Sequence, residues 1–120
     1  MMNINYLKDK GFDIDKSLEL LGDIETYNEI LTDFYNELEE KLTNLENYKN
    51  EVDLENYSIL VHALKSECKY LGLNDLADIC YTHQIKGEEK DINYINNNFN
   101  ELVNNIKSIK EIVEKYLEIN

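Results

Sequence analysis

The chain is 120 residues long and 42% hydrophobic, with no proline, no tryptophan and four glycines. That is one domain's worth of chain, apolar enough to bury a core and too poor in turn-forming residues for a many-stranded β fold. Against 25 acids stand 12 lysines and no arginine, a net charge of -13 that opposes binding to nucleic acid or to an anionic membrane surface.

The opening stretch, MMNINYLKDKG, has no apolar signal region, and no segment approaches the length of a membrane span, so a cytoplasmic location is expected. Gly11 precedes a short helix over about residues 15–21, with Asp15 as its N-cap, Leu18 and Leu21 as its apolar positions and Gly22 closing it. A long helix over about 24–49 follows Asp23. Its apolar residues Ile24, Tyr27, Leu31, Phe34, Leu38, Leu42 and Leu45 recur at the three-and-four spacing of one helix face. Asp53 caps a helix over about 54–71, which carries Tyr57, Leu60, Val61, Leu64, Cys68 and Leu71 and stops at Gly72. Asn74 caps the next, over about 75–86, with Leu76, Ile79, Cys80 and His83 turned inward and Gly87 at its end.

The last helix, about 92–117 from its cap Asp91, is the most regular. Ile92, Ile95, Phe99, Leu102, Ile106, Ile109, Val113 and Tyr116 alternate steps of three and four, as in a coiled-coil seam. Short connections make successive helices antiparallel neighbours. The expected fold is therefore all-α: one domain over 1–120, an antiparallel up-down-up-down four-helix bundle with a short N-terminal helix packed across it. Cys68 and Cys80 fall at apolar-periodic positions and read as reduced core residues. With His83 they offer a metal three ligands in an apolar seam, short of a zinc site.

One stripe departs from the acidic background. Burying Val61, Leu64, Cys68 and Leu71 leaves His62, Lys65, Ser66 and Lys69 on the outer face, at i, i+3, i+4 and i+7. Residues 23–56 hold eleven acids against two lysines, whereas this stripe holds two lysines and no acid. Fixed positive charge disfavours a neighbouring imidazolium and favours a phosphoryl group. The hairpin supplies a partner: His62 lies eleven residues before Leu73 and Gln84 eleven after, so the two fall at one height. A side-chain amide there can hydrogen-bond one ring nitrogen, set the tautomer and leave the other nitrogen open. Exposed, neutral and accompanied by two lysines, such an imidazole reads as a phosphoryl acceptor and not as a general base.

The run His62-Ala63-Leu64-Lys65-Ser66-Glu67-Cys68-Lys69-Tyr70-Leu71-Gly72, followed by Cys80 and Gln84, resembles the histidine phosphotransfer (HPt) domains of bacterial phosphorelays. His62, Leu64, Lys65, Gly72, Cys80 and Gln84 match the family motif at its spacings, and the helix layout matches from about residue 12 to 117. The resemblance implies that His62 is phosphorylated on Nε2, that Lys65 stabilises the phosphoryl oxygens and that Gln84 holds Nδ1. Lys69 joins them as a second electrostatic contact on the stripe geometry alone. The implied partners are response-regulator receiver domains or a hybrid histidine kinase. The receiver supplies Mg²⁺, and the chain needs no cofactor of its own. It would then be a monomeric phosphocarrier, not an enzyme. Two positions depart from the pattern: Ser66 stands where the family has glycine, on the docking surface, and His83 where it has leucine. The rival reading is a docking or dimerisation module whose last-helix seam is intermolecular and whose His62 is incidental.

Overall fold

The computed structural model describes residues 2–118, which form six helices and, among the described residues, no strand. These are α1 (Ile4–Asp9), α2 (Ile14–Leu21), α3 (Ile24–Asn50), α4 (Leu54–Leu71), α5 (Asn74–Glu88) and α6 (Ile92–Leu117). Five of the six starts are chemically marked, α1 by the Asn3 side chain, which accepts from the Asn5 backbone N–H. The carboxylates of Asp13, Asp23, Asp53 and Asp91 accept from the backbone N–H three residues on, satisfying a donor that the first helical turn leaves open.

Two of the expected caps are corrected. Asp13, not Asp15, caps α2, because the backbone N–H of Asp13 is tied to the Gly72 carbonyl at 2.9 Å and the helix starts from that anchor. Helix α5 begins from Leu73 with no side-chain cap, and Asn74 is already inside it. Helix α1 has no counterpart in the sequence reading. It buries a single residue, Leu7, so it carries no periodicity to detect.

Partners between α3 and α6 run in opposite order along the two helices. Asn28 accepts from the Tyr116 hydroxyl, Tyr35 donates to Glu114, and Lys49 lies 4.8 Å over the Phe99 ring. Tyr27 donates to the Leu71 carbonyl at 2.8 Å, joining α3 to α4. Helices α4, α5 and α6 meet at Tyr57, His83 and Tyr94. The seam of α6 is used up inside the molecule. Ile95, Phe99, Leu102, Ile106, Val113 and Tyr116 are buried against α3 and α5, and only Ile92 and Ile109 are partly exposed. Cys68 and Cys80 are fully buried. The Cys68 thiol, hydrogen-bonded to Cys80 and shielded from water, is held far above the usual thiol range.

Two glycines set how closely elements approach. Gly72 ends α4 at φ +80°, and a Cβ there would sit 2.7–2.8 Å from the Asp13 backbone. It thus clamps the α1–α2 linker to the α4–α5 turn. Gly87, expected as the stop of α5, instead lies within that helix and is buried. A Cβ on it would overlap the Ser58 hydroxyl, so its role is to let α4 and α5 close together. The chain leaves α5 through Lys90, at φ 60°, and leaves α3 through Val52, at φ 56°.

Candidate functional site

The outer face of the α4–α5 hairpin brings His62 and Gln84 together. His62 is exposed, as its place opposite the buried Val61, Leu64 and Cys68 requires. Its Nδ1 lies 3.0 Å from Gln84 Oε1. The Gln84 Nε2 donates in turn to Glu88 Oε1 at 3.2 Å, one turn further along α5. A carboxylate only accepts, so the amide presents its NH2 to Glu88 and its oxygen to His62. The imidazole then carries its proton on Nδ1, and the Nε2 lone pair is left uncommitted.

Lys65 follows one turn after His62 and is half-buried, with its ammonium 5.0 Å from the centre of the Tyr81 ring on α5. A cation over an aromatic face is held in place without being neutralised. Among the described residues Lys8, Lys41, Lys86 and Lys110 form ion pairs, and no such pair is seen for Lys65 or Lys69. Lys69 is exposed one turn beyond Lys65, and Ser66 is half-buried between them and His62. Glu67 points away from the stripe and pairs with Lys41 on α3. Two lysines therefore keep free charge on the C-terminal side of His62.

The opposite side is less uniform than the α4 stripe suggests. An open groove of about 640 Å³ runs from His62 between α4 and the end of α5, lined by Leu54, Ser58, Ile59 and Gly87 and also by Glu55, Gln84, Glu88 and Lys90. The absence of acids thus holds for the stripe itself and not for its surroundings, since two carboxylates line the same groove. Ile59, 60% exposed, supplies an apolar surface one turn before His62, and Tyr70 and Tyr81 supply two more beyond it.

His83, one residue before Gln84, is used differently. It is 1% exposed, and its Nδ1 is 2.8 Å from the Tyr57 hydroxyl. Burial pushes the Tyr57 phenol well above the usual tyrosine range, so the hydroxyl stays protonated and donates to Nδ1. Burial likewise holds His83 below its ordinary pKa. The Asn98 backbone pulls the other way and is outweighed, and Nε2 makes no hydrogen bond. Tyr57 is the partner that sequence alone does not name. Among the described residues, no group of three His, Cys, Asp or Glu side chains is arranged to hold a metal ion.

No motif in the sequence marks Glu88 or Tyr81, although the rule that pairs His62 with Gln84 reaches Tyr81 as well. Lys65 lies eight residues before Leu73 and Tyr81 eight after. Glu88 was accessible as the residue at i+4 from Gln84.

The family model of the Hpt domain matches residues 29–107, about two-thirds of the chain and the whole of the hairpin just described. No curated protein and no solved structure matches the chain.

Proposed function

The chain belongs to the Hpt domain family, whose members transfer phosphoryl groups through histidine in phosphorelays, and on that premise we propose that it accepts a phosphoryl group on His62 from one receiver domain and passes it to another. The observation that carries this reading is the His62–Gln84 hydrogen bond, which commits Nδ1 on an exposed ring and leaves Nε2 as the nucleophile. In the forward step the Nε2 lone pair attacks the phosphorus of the receiver's aspartyl phosphate. The N–P bond forms, the P–O bond breaks and the aspartate leaves as a carboxylate. No proton has to move. The ring becomes cationic with hydrogen still on Nδ1, and its bond to Gln84 Oε1 becomes charge-assisted. Lys65, and beyond it Lys69, face the phosphoryl oxygens with uncompensated charge, and Ser66 lies on the docking surface between them.

Mg²⁺ and the aspartate belong to the receiver, so this chain is a carrier that positions a nucleophile rather than an enzyme turning over alone. Exposed Ile59 before His62 on α4, Tyr70 beyond it and Tyr81 on α5 under Lys65 offer apolar surface to that partner. The opposed order of partners along α3 and α6 supports an up-down-up-down bundle of α3 to α6, and one domain over 1–120 working as a cytoplasmic monomer completes the proposal. A dimerisation module built on the α6 seam has little support, because that seam faces the core.

The test is labelling. A receiver domain phosphorylated in the presence of Mg²⁺ is expected to transfer acid-labile, base-stable phosphate to the chain, and His62→Gln is expected to remove it. Failure of every receiver of the source organism to label the wild-type chain would sink the proposal.

A further inference from the structure

We propose that Glu88 is a positioning residue that chooses the tautomer of His62 through the side chain of Gln84; the functional meaning of this choice rests on His62 being the phosphoryl acceptor. A glutamine amide by itself is indifferent. With its oxygen toward His62 it accepts from Nδ1–H and leaves Nε2 bare. Flipped, it donates to Nδ1, and the ring proton moves to Nε2, where it blocks the lone pair that must attack phosphorus. What breaks the tie is the atom on the far side of the amide. Glu88 Oε1 lies 3.2 Å from Gln84 Nε2, while Gln84 Oε1 lies 3.0 Å from His62 Nδ1. The flipped amide would keep a bond to His62 only through the other tautomer, would lose the bond to Glu88 and would aim its oxygen at a carboxylate. The negative charge of Glu88, which never reaches the phosphoryl group, thus becomes a choice of which ring nitrogen is nucleophilic.

The groove contains its own control. Glu55 lines the same groove as Glu88 and carries the same charge, but it makes no hydrogen bond to Gln84. An effect of electrostatic field alone would be shared by the two carboxylates, and an effect of hydrogen-bond geometry belongs to Glu88.

The experiment reads the ring directly in the full chain. Long-range ¹⁵N–¹H spectra of His62, recorded at about pH 8.5 where an imidazole is neutral, report the ratio of Nδ1–H to Nε2–H. The wild-type chain is expected to favour Nδ1–H. Glu88→Ala should lower that ratio by roughly two- to tenfold, the worth of one solvent-accessible hydrogen bond. Glu88→Lys, which places a donor against the amide, should invert it, and Glu55→Gln should leave it unchanged. Glu88→Ala added to Gln84→Ala should shift the ratio no further than Gln84→Ala alone.

An unchanged ratio in both Glu88 variants overturns the proposal, as does an equal shift in Glu55→Gln. A wild-type ring that favours Nε2–H overturns it together with the role of Gln84. Because the spectrum is taken without a partner, it is independent of phosphotransfer. A chain that shows the expected tautomers but accepts no phosphate refutes the function and not the positioning.

Discussion

The two histidines of this chain sit on one helical hairpin, and each directs Nδ1 to a neighbouring helix. His62 on α4 meets the Gln84 amide at the surface, whereas His83 on α5 meets the Tyr57 phenol inside the core. The partners have opposite polarity. Gln84 Oε1 accepts, so His62 holds its proton on Nδ1 and offers Nε2. The Tyr57 hydroxyl donates, so the proton of His83 sits on Nε2, in the interior, where the Asn98 backbone only partly offsets its burial. The same side chain thus leaves Nε2 open to solvent in one setting, as the proposed phosphoryl acceptor requires, and is a neutral packing element in the other. What separates them is exposure and the hydrogen-bonding sense of one neighbour.

The comparison breaks most decisively under truncation. His62→Gln should erase the phosphohistidine signal and leave the melting temperature within about 2 °C, since an exposed helix position tolerates the change. His83→Ala should do the reverse. Transfer should persist while stability falls by about 2–4 kcal/mol, from the cavity and from the Tyr57 hydroxyl left without a partner. Denaturant unfolding and the labelling assay, run on both variants, check the pair of outcomes.

A pH titration sharpens the same contrast. Burial lowers the pKa of His83 from its ordinary value of 6.5, so below that pH the unfolded chain binds a proton that the folded chain refuses. Stability is therefore fully present above about pH 6.5 and declines as the pH falls toward the depressed folded value, by up to about 1.4 kcal/mol per pH unit. The double substitution Tyr57→Phe with His83→Leu removes both polar partners together. It is expected to hold stability within about 1 kcal/mol of wild type at pH 7.5 and to flatten the decline between pH 6.5 and 5. An unaltered slope would assign that decline to other groups.

Smaller effects test the spacing between the two helices. Gly87→Ala should cost about 1 kcal/mol net, because the overlap with Ser58 exceeds the gain in helix propensity, and it should slow transfer by separating Gln84 from His62. Adding Ser58→Ala removes the obstructing hydroxyl, and both losses should be recovered. The smallest changes concern the lysine. Lys65→Ala should slow transfer about tenfold without unfolding the chain, and Tyr81→Ala about twofold, since it removes the ring that holds the ammonium but not its charge.

Much of the bundle is legible before folding because helix burial is a local property. The alternating steps from Ile92 to Tyr116 mark one face of one helix, and most of that face is buried. Aspartate caps at 23, 53 and 91 are local for the same reason. Even the His62–Gln84 pairing follows from counting away from Leu73, since an antiparallel hairpin converts sequence distance into height. Where counting fails, the deciding quantity is a distance or a rotation between elements. Gly87 resembles a helix stop in one dimension, and only the approach of α4 shows it to be a contact. Asp15 and Asp13 are equally good caps until the Gly72 carbonyl fixes the backbone of Asp13.

The sequence by itself determined five of the six helices, their inward faces, and a histidine followed by two lysines along one stripe and level with a glutamine. Only the tertiary structure decided that Glu88 accepts from the Gln84 amide, that Tyr81 lies against the Lys65 ammonium, that Tyr57 takes Nδ1 of His83, and that carboxylates as well as lysines lie near His62. The reason is physical. Periodicity records which side of a helix avoids water, an average over many residues, whereas each of these partnerships depends on where a few atoms of two helices come within hydrogen-bonding or ring-contact distance.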